Sequence, residues 1–220
     1  MSCHMLDRLR LAQTPERIIL CTSTVPQDDP LADIAIQEGV DLYRGDPDDV
    51  LLRLTKAASK FGIETVINCT ADNPFVDPMY IDRLVEFHEV NKNDFSMTEG
   101  LPFGTFSYSL SLEAMRRACS IKDERDTEVW GGYFTQTGLF QWGTLNVEDE
   151  SVKEPGLRLT VDTPQDFELI SRIFDELYRP GEVFSLADIV DLCRKRSDLY
   201  SLNQDVQQKP GLPIKLKENI

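Results

Sequence analysis

Short apolar runs alternate along the chain with longer stretches whose apolar residues recur at helical spacing. Strands are predicted at residues 17–22, 64–69 and 157–161, and shorter strands at 42–43, 95–97, 105–110 and 139–146. Helices are predicted at residues 1–12, 30–38, 47–61, 78–91, 112–119, 164–177 and 186–195. This alternation is typical of an α/β fold with three layers, in which a mostly parallel sheet carries helices on both faces.

Most of the predicted helices begin with the same local signal. A side chain that can cap a helix stands directly before a proline suited to the first helical position at Asp29-Pro30, Asp46-Pro47, Asp77-Pro78 and Thr163-Pro164. Ser111 and Ser185 are predicted to cap two further helices. These helix starts closely follow strand-like or extended segments, and α/β proteins keep their ligand sites at such turns.

The length and charge of the chain narrow the class of protein. With 220 residues, we expect one domain at 1–202 and a polar tail at 203–220. A formal net charge of -15 argues against a nucleic acid polymer or an anionic membrane as partner, because both reward clustered Lys and Arg. The five scattered cysteines and the lack of a signal-peptide pattern predict reduced thiols in the cytoplasm. The two histidines offer no zinc-ligand spacing.

Two aspartates remain once the capping residues are assigned. Asp72 and Asp162 each follow a predicted strand, whereas the nearby Asp77 and Thr163 serve as helix caps. Both free aspartates lie at the carboxyl ends of strands, where ligands bind in open α/β sheets. Mg²⁺ takes one or two protein carboxylates and completes its shell with phosphate oxygens and water. The pair therefore predicts a catalytic magnesium–triphosphate site, and the alternative is that each aspartate closes an Asx turn.

Three arginines and a glycine are weaker candidates for substrate binding. Arg44 and Gly45 stand at a strand-to-helix turn suited to a phosphate or carboxylate, and the alternative is a solvated turn. Arg53 has a surface ion pair with Asp49 as its alternative role. Arg158 lies on a predicted strand, where alternation allows contact with a ligand.

Aromatic side chains are concentrated between residues 130 and 142. Core packing is the expected role of these residues, and the lining of a sugar pocket or an oligomer interface are the alternatives. The chain contains no G-x-x-x-x-G-K-[ST], no G-x-G-x-x-G and no other Gly-rich basic loop that could hold a triphosphate. The phosphate-binding half of the predicted site is therefore not accounted for by a motif.

Five motifs in a fixed order resemble a known family. They are residues 18–24, 28–30, 43–51, 70–74 and 159–166. Together they resemble the cytidylyltransferase-like proteins of spore-coat polysaccharide synthesis, relatives of the enzymes that make CMP-linked sialic, legionaminic and Kdo acids. Residues 184–190, Asn203 and residues 207–209 also resemble the C-terminus of that subgroup, so the resemblance spans nearly the whole chain.

The resemblance implies a fold, a reaction and roles for individual residues. The implied fold is the Rossmann-like fold of nucleotide-diphospho-sugar transferases, and in the implied reaction a sugar hydroxyl attacks the α-phosphate of CTP and pyrophosphate leaves. In the family the aspartate matching Asp72 binds the catalytic Mg²⁺, and Asp162 matches a second ligand. Asn73, in the same motif as Asp72, is assigned to the substrate site. Related enzymes also imply a homodimer formed through residues 105–146.

The chain departs from the family pattern in two places. Family members begin with a strand and a loop resembling Q-A-R-x-x-S-x-R-x-x-x-K, which holds the triphosphate, whereas residues 1–9 already resemble the helix after that loop. The first strand and the loop are therefore expected to be missing. Residues 104–109 also lack the acidic residues that usually follow the glycine. The alternatives to an active sugar cytidylyltransferase are a binding or assembly protein and a glycosyltransferase that uses a nucleotide-sugar.

Overall fold

The predicted alternation of strands and helices is present in the computed structural model, which describes residues 1–125, 127, 129–208 and 213–218. The strands are β1 Ile19–Ser23, β2 Asp41–Gly45, β3 Thr65–Asn68, β4 Phe95–Glu99, β5 Tyr108–Ser111 and β6 Trp142–Asn146. The helices are α1 Ser2–Leu9, α2 Asp29–Glu38, α3 Val50–Phe61, α4 Pro78–Asn91, α5 Leu112–Ile121, α6 Gly132–Thr135, α7 Pro164–Leu177, α8 Leu186–Lys195 and α9 Ser197–Tyr200.

The strands of the described chain form two sheets. β1 and β2 pair in parallel, and the second sheet has the order β3, β5, β4, β6. β4 and β6 are parallel, whereas β5 runs antiparallel to both β3 and β4. The second sheet therefore contains antiparallel pairs beside the expected parallel pairing. β5 runs antiparallel to β4 because residues 100–107 connect them without the crossover helix that parallel neighbours need. The α/β class is confirmed.

Helices cover both faces of the second sheet. Val66 of β3 packs with the cluster that contains Met115 of α5, whereas the next residue, Ile67, packs with Met5 of α1 and Ile81 of α4. Successive side chains of a strand point to opposite faces. Helices α1 and α4 therefore lie on one face and α5 lies on the other, which is the expected three-layer arrangement.

β1 and β3 each end a sheet with an open edge. Among the described strands, β1 pairs only with β2 and β3 pairs only with β5. Both strands carry apolar side chains, yet all of β3 and the first three residues of β1 are only partly buried. Helix α3 packs on β1, on β2 and on α5, and so joins the two sheets. The hydrogen-bonding groups on the outer side of β1 and β3 lack a sheet partner in the described chain.

We expect amide hydrogen exchange to detect the open edge of β1. The Ile18 carbonyl oxygen accepts a hydrogen bond from the start of β2, which turns the amides of Leu20 and Thr22 toward β2 and those of Ile19 and Cys21 away from it. Because a hydrogen bond is worth on the order of 1 kcal/mol, the outward amides should exchange about tenfold faster. Equal protection of both sets would show that a further strand or another molecule covers this edge.

Most of the predicted helix caps are confirmed. The side chains that accept a hydrogen bond from the first turn are those of Ser111, Asp77, Thr163 and Ser185. The predicted cap at Asp46 is wrong, because Asp49 caps α3 by accepting from the Leu52 N–H. Asp49 is held there by the buried Lys122 ammonium and the Thr127 hydroxyl, whereas Asp46 closes the turn before the helix. Asp29 likewise begins α2 but makes no capping bond.

The strand predicted at residues 157–161 is wrong. This segment makes only an isolated bridge, between Arg158 and Phe103. Gly104 follows with a φ of 91°, and a Cβ there would lie 2.5 Å from the Thr160 nitrogen. The partner segment therefore turns away after one residue pair, so no ladder develops, and only glycine fits this close approach.

The aromatic region serves mainly as core. Trp130, Tyr133, Phe134 and Phe140 are buried in one cluster, as expected, whereas Trp142 on the edge strand β6 is 44% exposed. Beyond the predicted domain boundary, residues 213–218 also contact the domain. The Asp123 N–H donates to the Lys215 carbonyl, and the Lys217 N–H donates to the Ile121 carbonyl.

The described residues contain no disulfide and no helix long and apolar enough to cross a membrane. All five cysteines are free. Burial raises the pKa of Cys69 to about 12 and the pKa of Cys193 to about 11, so these thiols stay protonated at neutral pH.

Candidate active site

The loops that carry Asp72 and Asp162 are neighbours in the structure. Asp72 lies in the loop between β3 and α4, and Asp162 directly precedes Thr163, the cap of α7. The backbone joins the two loops, because the Val161 N–H donates to the Asp72 carbonyl oxygen at 3.0 Å. The two loops are therefore adjacent at this point of the backbone.

The Asp72 carboxylate is not satisfied by the protein. Its Oδ1 atom is buried and accepts no hydrogen bond from the described residues. The neighbouring Asn73 is buried, with its Nδ2 donating to the Thr70 hydroxyl at 2.8 Å and its Oδ1 also buried without a donor. Because buried polar atoms are nearly always paired, two such oxygens on consecutive residues indicate a place for a ligand.

Asp162, in contrast, is not free as the capping pattern predicts. Its Oδ2 accepts from an Arg158 terminal nitrogen at 2.5 Å. The Asp162 side chain is 39% exposed, whereas that of Arg158 is only 9% exposed. The expectation of a free carboxylate is wrong because Arg158 reaches it from four residues earlier, but no described residue donates to the Asp162 Oδ1 atom.

The donors at this site suit a hard cation such as Mg²⁺. Two carboxylates on adjacent loops are the protein share that Mg²⁺ normally takes, with phosphate and water completing its shell. No group of three or more His, Cys, Asp or Glu side chains that could hold a metal occurs among the residues described. The carboxyl oxygens present therefore fit the protein's share of the ligands of a magnesium ion.

Arg44 and Gly45 occupy the other predicted site, at the end of β2. The Arg44 Nε and one terminal nitrogen donate to the Ser23 and Val25 carbonyls, and the other terminal nitrogen pairs with Asp29 at 2.7 Å. Arg44 therefore shapes the turn after β1. In that turn, hydrogen bonds from Ser23 and Thr22 hold the pKa of Asp28 below its ordinary value.

Arg53 reaches the turn after β2 from α3. Its terminal nitrogen donates to the Asp46 carbonyl at 2.6 Å, and its Nε is buried without an acceptor in the described chain. The surface ion pair with Asp49 does not form, because Asp49 faces Lys122. A Cβ on Gly45 would lie 2.9 Å from the Arg53 Cγ, so the absence of a side chain at Gly45 leaves room for the Arg53 side chain. Among the described residues, no hydrogen bond links this group to Asp72 or Asp162.

Comparison with known proteins places the chain in a family. The model of the family described as Cytidylyltransferase matches residues 1–204. The chain belongs to the cytidylyltransferase family. Its membership of this family makes the protein a nucleotidyltransferase. The buried oxygens of Asp72 and Asn73 and the turn after β1 all lie within the matched residues.

Three relatives illustrate this membership. A spore coat polysaccharide biosynthesis protein of Bacillus subtilis is 25% identical over 83% of this chain and 77% of that protein. A solved cytidylyltransferase from Leptospira borgpetersenii is 22% identical, with a TM-score of 0.82 over 96% of this chain and 87% of that one. A CMP-2-keto-3-deoxy-manno-octonic acid synthetase, solved with CTP, is 12% identical, with a TM-score of 0.59 over 80% and 88% of the two chains. The two structures confirm the nucleotidyltransferase type of fold.

Three residues that contact Arg158 were not predicted to do so. Asp166 was assigned only to a capping box, which is present, but it also binds Arg158. Asn203 and Gln208 reach the same network from the C-terminal segment. The spacing of Arg158, Asp162 and Asp166 at intervals of four was a local signal for this network. Lys209, named with Gln208 in the resemblance, lies outside the described residues.

Proposed function

We propose that this cytidylyltransferase transfers the cytidylyl group of CTP to a hydroxyl of an acidic sugar of the nonulosonic type, for surface polysaccharide or glycan synthesis. The sugar oxygen forms a bond to the α-phosphorus, the bond to the departing pyrophosphate breaks, and the hydroxyl proton passes to solvent. The observation that carries the proposal is the buried, unpaired Asp72 Oδ1 on a loop whose backbone bonds the residue before Asp162, in a chain matched over residues 1–204 by the family.

In this proposal Asp72 and Asp162 bind Mg²⁺, and the Mg²⁺ in turn binds the triphosphate. A bound Mg²⁺ neutralises charge on the phosphates and helps align them. Asp72 offers the buried Oδ1, and Asp162 offers the Oδ1 that Arg158 does not contact. No protein nucleophile is required, because positioning and charge neutralisation carry phosphoryl transfer of this kind.

The roles of the other candidate residues remain predictions, and the contacts of each residue favour a particular role. The buried, unpaired Nε of Arg53 and the unpaired Oδ1 of Asn73 favour contact with substrate. The terminal nitrogens and Nε of Arg44 are engaged by the turn after β1, which favours a role in shaping that turn beside Gly45. The similar engagement of Arg158 favours support of Asp162 over contact with the sugar.

The acidic sugar and the homodimer are the finer parts of the proposal. The named role of the Bacillus subtilis relative supports a polysaccharide precursor, and the synthetase solved with CTP acts on an acidic sugar by its name. The exposed Trp142 on the edge strand β6 supports a subunit interface within residues 105–146.

Pyrophosphate release tests the proposed reaction. The purified protein is incubated with Mg²⁺, each of the four common nucleoside triphosphates, and a panel of nonulosonic acids and neutral sugars. We expect release with CTP and one or more acidic sugars, at least about tenfold faster than with the other triphosphates. Release that requires a neutral sugar would contradict the acidic substrate. No release with any pair, from protein whose fold is verified by circular dichroism, would contradict the transferase proposal.

A further inference from the structure

Each nitrogen of the Arg158 guanidinium donates a hydrogen bond to a side chain. Its Nε donates to Asp166 Oδ1 at 2.9 Å, one terminal nitrogen donates to Asp162 Oδ2 at 2.5 Å and to Asp166 Oδ2 at 3.2 Å, and the other donates to Gln208 Oε1 at 2.6 Å. The guanidinium carbon also lies 5.3 Å from the ring centre of Phe103. A planar fork with five donors suits such a junction, whereas a lysine could not make these contacts together.

Asp166 holds both Arg158 and the backbone of Asp162. This carboxylate has no exposed surface, and besides Arg158 it accepts from the Asn203 side chain at 2.7 Å. Its Oδ2 also accepts from the backbone N–H groups of Asp162 and Thr163 at 3.1 and 3.0 Å. Asp162 is therefore fixed at two points, its backbone by Asp166 and its carboxylate by Arg158.

Val161 then connects the network to the other carboxylate. Its N–H donates to the Asp72 carbonyl, so the residue immediately before Asp162 is bonded to Asp72. Arg158 binds only one oxygen of Asp162, and its positive charge offsets part of the repulsion between two carboxylates that share a site. The other oxygen of Asp162 accepts no hydrogen bond from the described residues, and the side chain is 39% exposed.

We propose that Arg158 is a positioning residue for the carboxylate pair, and that Asn203 and Gln208 are part of this support. Arg158 acts through Asp162 and does not touch the substrate. The inference rests on the proposed function, because it assumes that Asp72 and Asp162 bind the cation. It assigns a role in the site to the C-terminal segment, far along the chain from both aspartates.

Binding of Mn²⁺ alone, followed by water-proton relaxation without nucleotide, tests this positioning role. Partners of metal ligands commonly change metal affinity by about 10- to 100-fold when mutated, so Arg158→Lys should weaken Mn²⁺ binding by about tenfold. Arg172→Lys is the matched control, because Arg172 makes an exposed pair with Glu168 on α7; its Mn²⁺ affinity should equal that of the wild type.

A double-mutant comparison separates positioning from a purely structural role. In an Asp162→Asn background, Arg158→Lys should weaken Mn²⁺ binding no further, because the carboxylate that Arg158 positions is gone. Persistence of the full weakening in that background, or unchanged affinity of folded Arg158→Lys in the wild-type background, would overturn the inference. If Arg158→Lys does not fold, Gln208→Ala removes one contact at an exposed side chain and should weaken Mn²⁺ binding in the same direction. If the Mn²⁺ affinity of Gln208→Ala were then unchanged, the positioning role of Arg158 would be contradicted.

The same measurement distinguishes failure of the inference from failure of the proposed function. Asp72→Asn should weaken Mn²⁺ binding whether or not Arg158 positions Asp162. If Asp72→Asn binds Mn²⁺ as the wild type does, the proposed cation site itself is wrong. If Asp72→Asn loses Mn²⁺ and Arg158→Lys keeps it, only the role of Arg158 is wrong.

Discussion

Asp72→Asn is expected to lower the rate of cytidylyl transfer by about a thousandfold, because it removes the carboxylate charge that binds the cation of the reacting phosphates. The melting temperature should stay the same or rise. The Asp72 Oδ1 atom is buried without a hydrogen-bond donor in the described chain, so the carboxylate does not stabilise the fold through that oxygen. Pyrophosphate release and differential scanning calorimetry on the same preparation measure both effects.

Asp175→Asn is the matched control for that prediction. Asp175 is an exposed aspartate on α7, away from the contacts of Asp72 and Asp162. The control should retain the wild-type rate and the wild-type melting temperature. A loss of activity in Asp72→Asn that comes with a lower melting temperature would assign Asp72 a structural role, and full activity would remove it from the reaction.

Asp166→Asn is expected to destabilise the protein by about 3 kcal/mol, because breaking the buried ion pair leaves the Arg158 charge with only the partly exposed Asp162 as its counter-ion. The substitution leaves Arg158 buried against a neutral side chain and weakens the acceptor of the Asp162 and Thr163 N–H groups. Urea unfolding, with the free energy of unfolding extrapolated to water, measures the loss.

Asp188→Asn is a closely matched control for Asp166→Asn. Asp188 occupies the same capping-box position in α8, but its partners are at an exposed site and include no arginine. The loss there should be about 1 kcal/mol or less. Equal losses in the two variants would show that helix capping, and not the Arg158 network, accounts for the effect of Asp166.

The effect of Asp166→Asn should depend on pH in one direction. Although burial opposes its charge, the hydrogen bonds from Arg158 and Asn203 hold the pKa of Asp166 below its ordinary value. A carboxyl group with a lowered pKa in the folded state contributes stability above its unfolded pKa, which is about 4. The difference in stability between wild type and Asp166→Asn should therefore be constant from about pH 5 to pH 8 and shrink as the pH falls below about 4.

The elements with strong local signals could be predicted from the sequence. Asp77, Thr163, Ser111 and Ser185 each cap a helix within three residues of chain, so neighbouring residues alone contain the information. The start of α3 was misplaced because Lys122, more than seventy residues away, holds Asp49 at the cap. Contacts of that range leave no pattern in the local sequence.

The site was only partly predictable for a similar reason. The proximity of the Asp72 and Asp162 loops was predicted from where two strands were expected to end, and the bond between Val161 and Asp72 agrees with that proximity although residues 157–161 form no strand. The assignment of helix caps considers only backbone partners, so it could not show that the Arg158 guanidinium donates a hydrogen bond to the Asp162 carboxylate. Nor could alternation show that residues 157–161 make one bridge and no strand, because Gly104 turns the partner segment away.

Anomalous diffraction from crystals grown with CTP and Mn²⁺ tests the central claim most directly. The claim is that Asp72 and Asp162 form the cation–triphosphate site of a CTP-dependent transferase. It predicts a manganese peak about 2.1 Å from the Asp72 Oδ1 atom, with phosphate oxygens of CTP completing its coordination and an Asp162 oxygen in the same shell. CTP bound with manganese at any place where neither carboxylate coordinates it would contradict the claim.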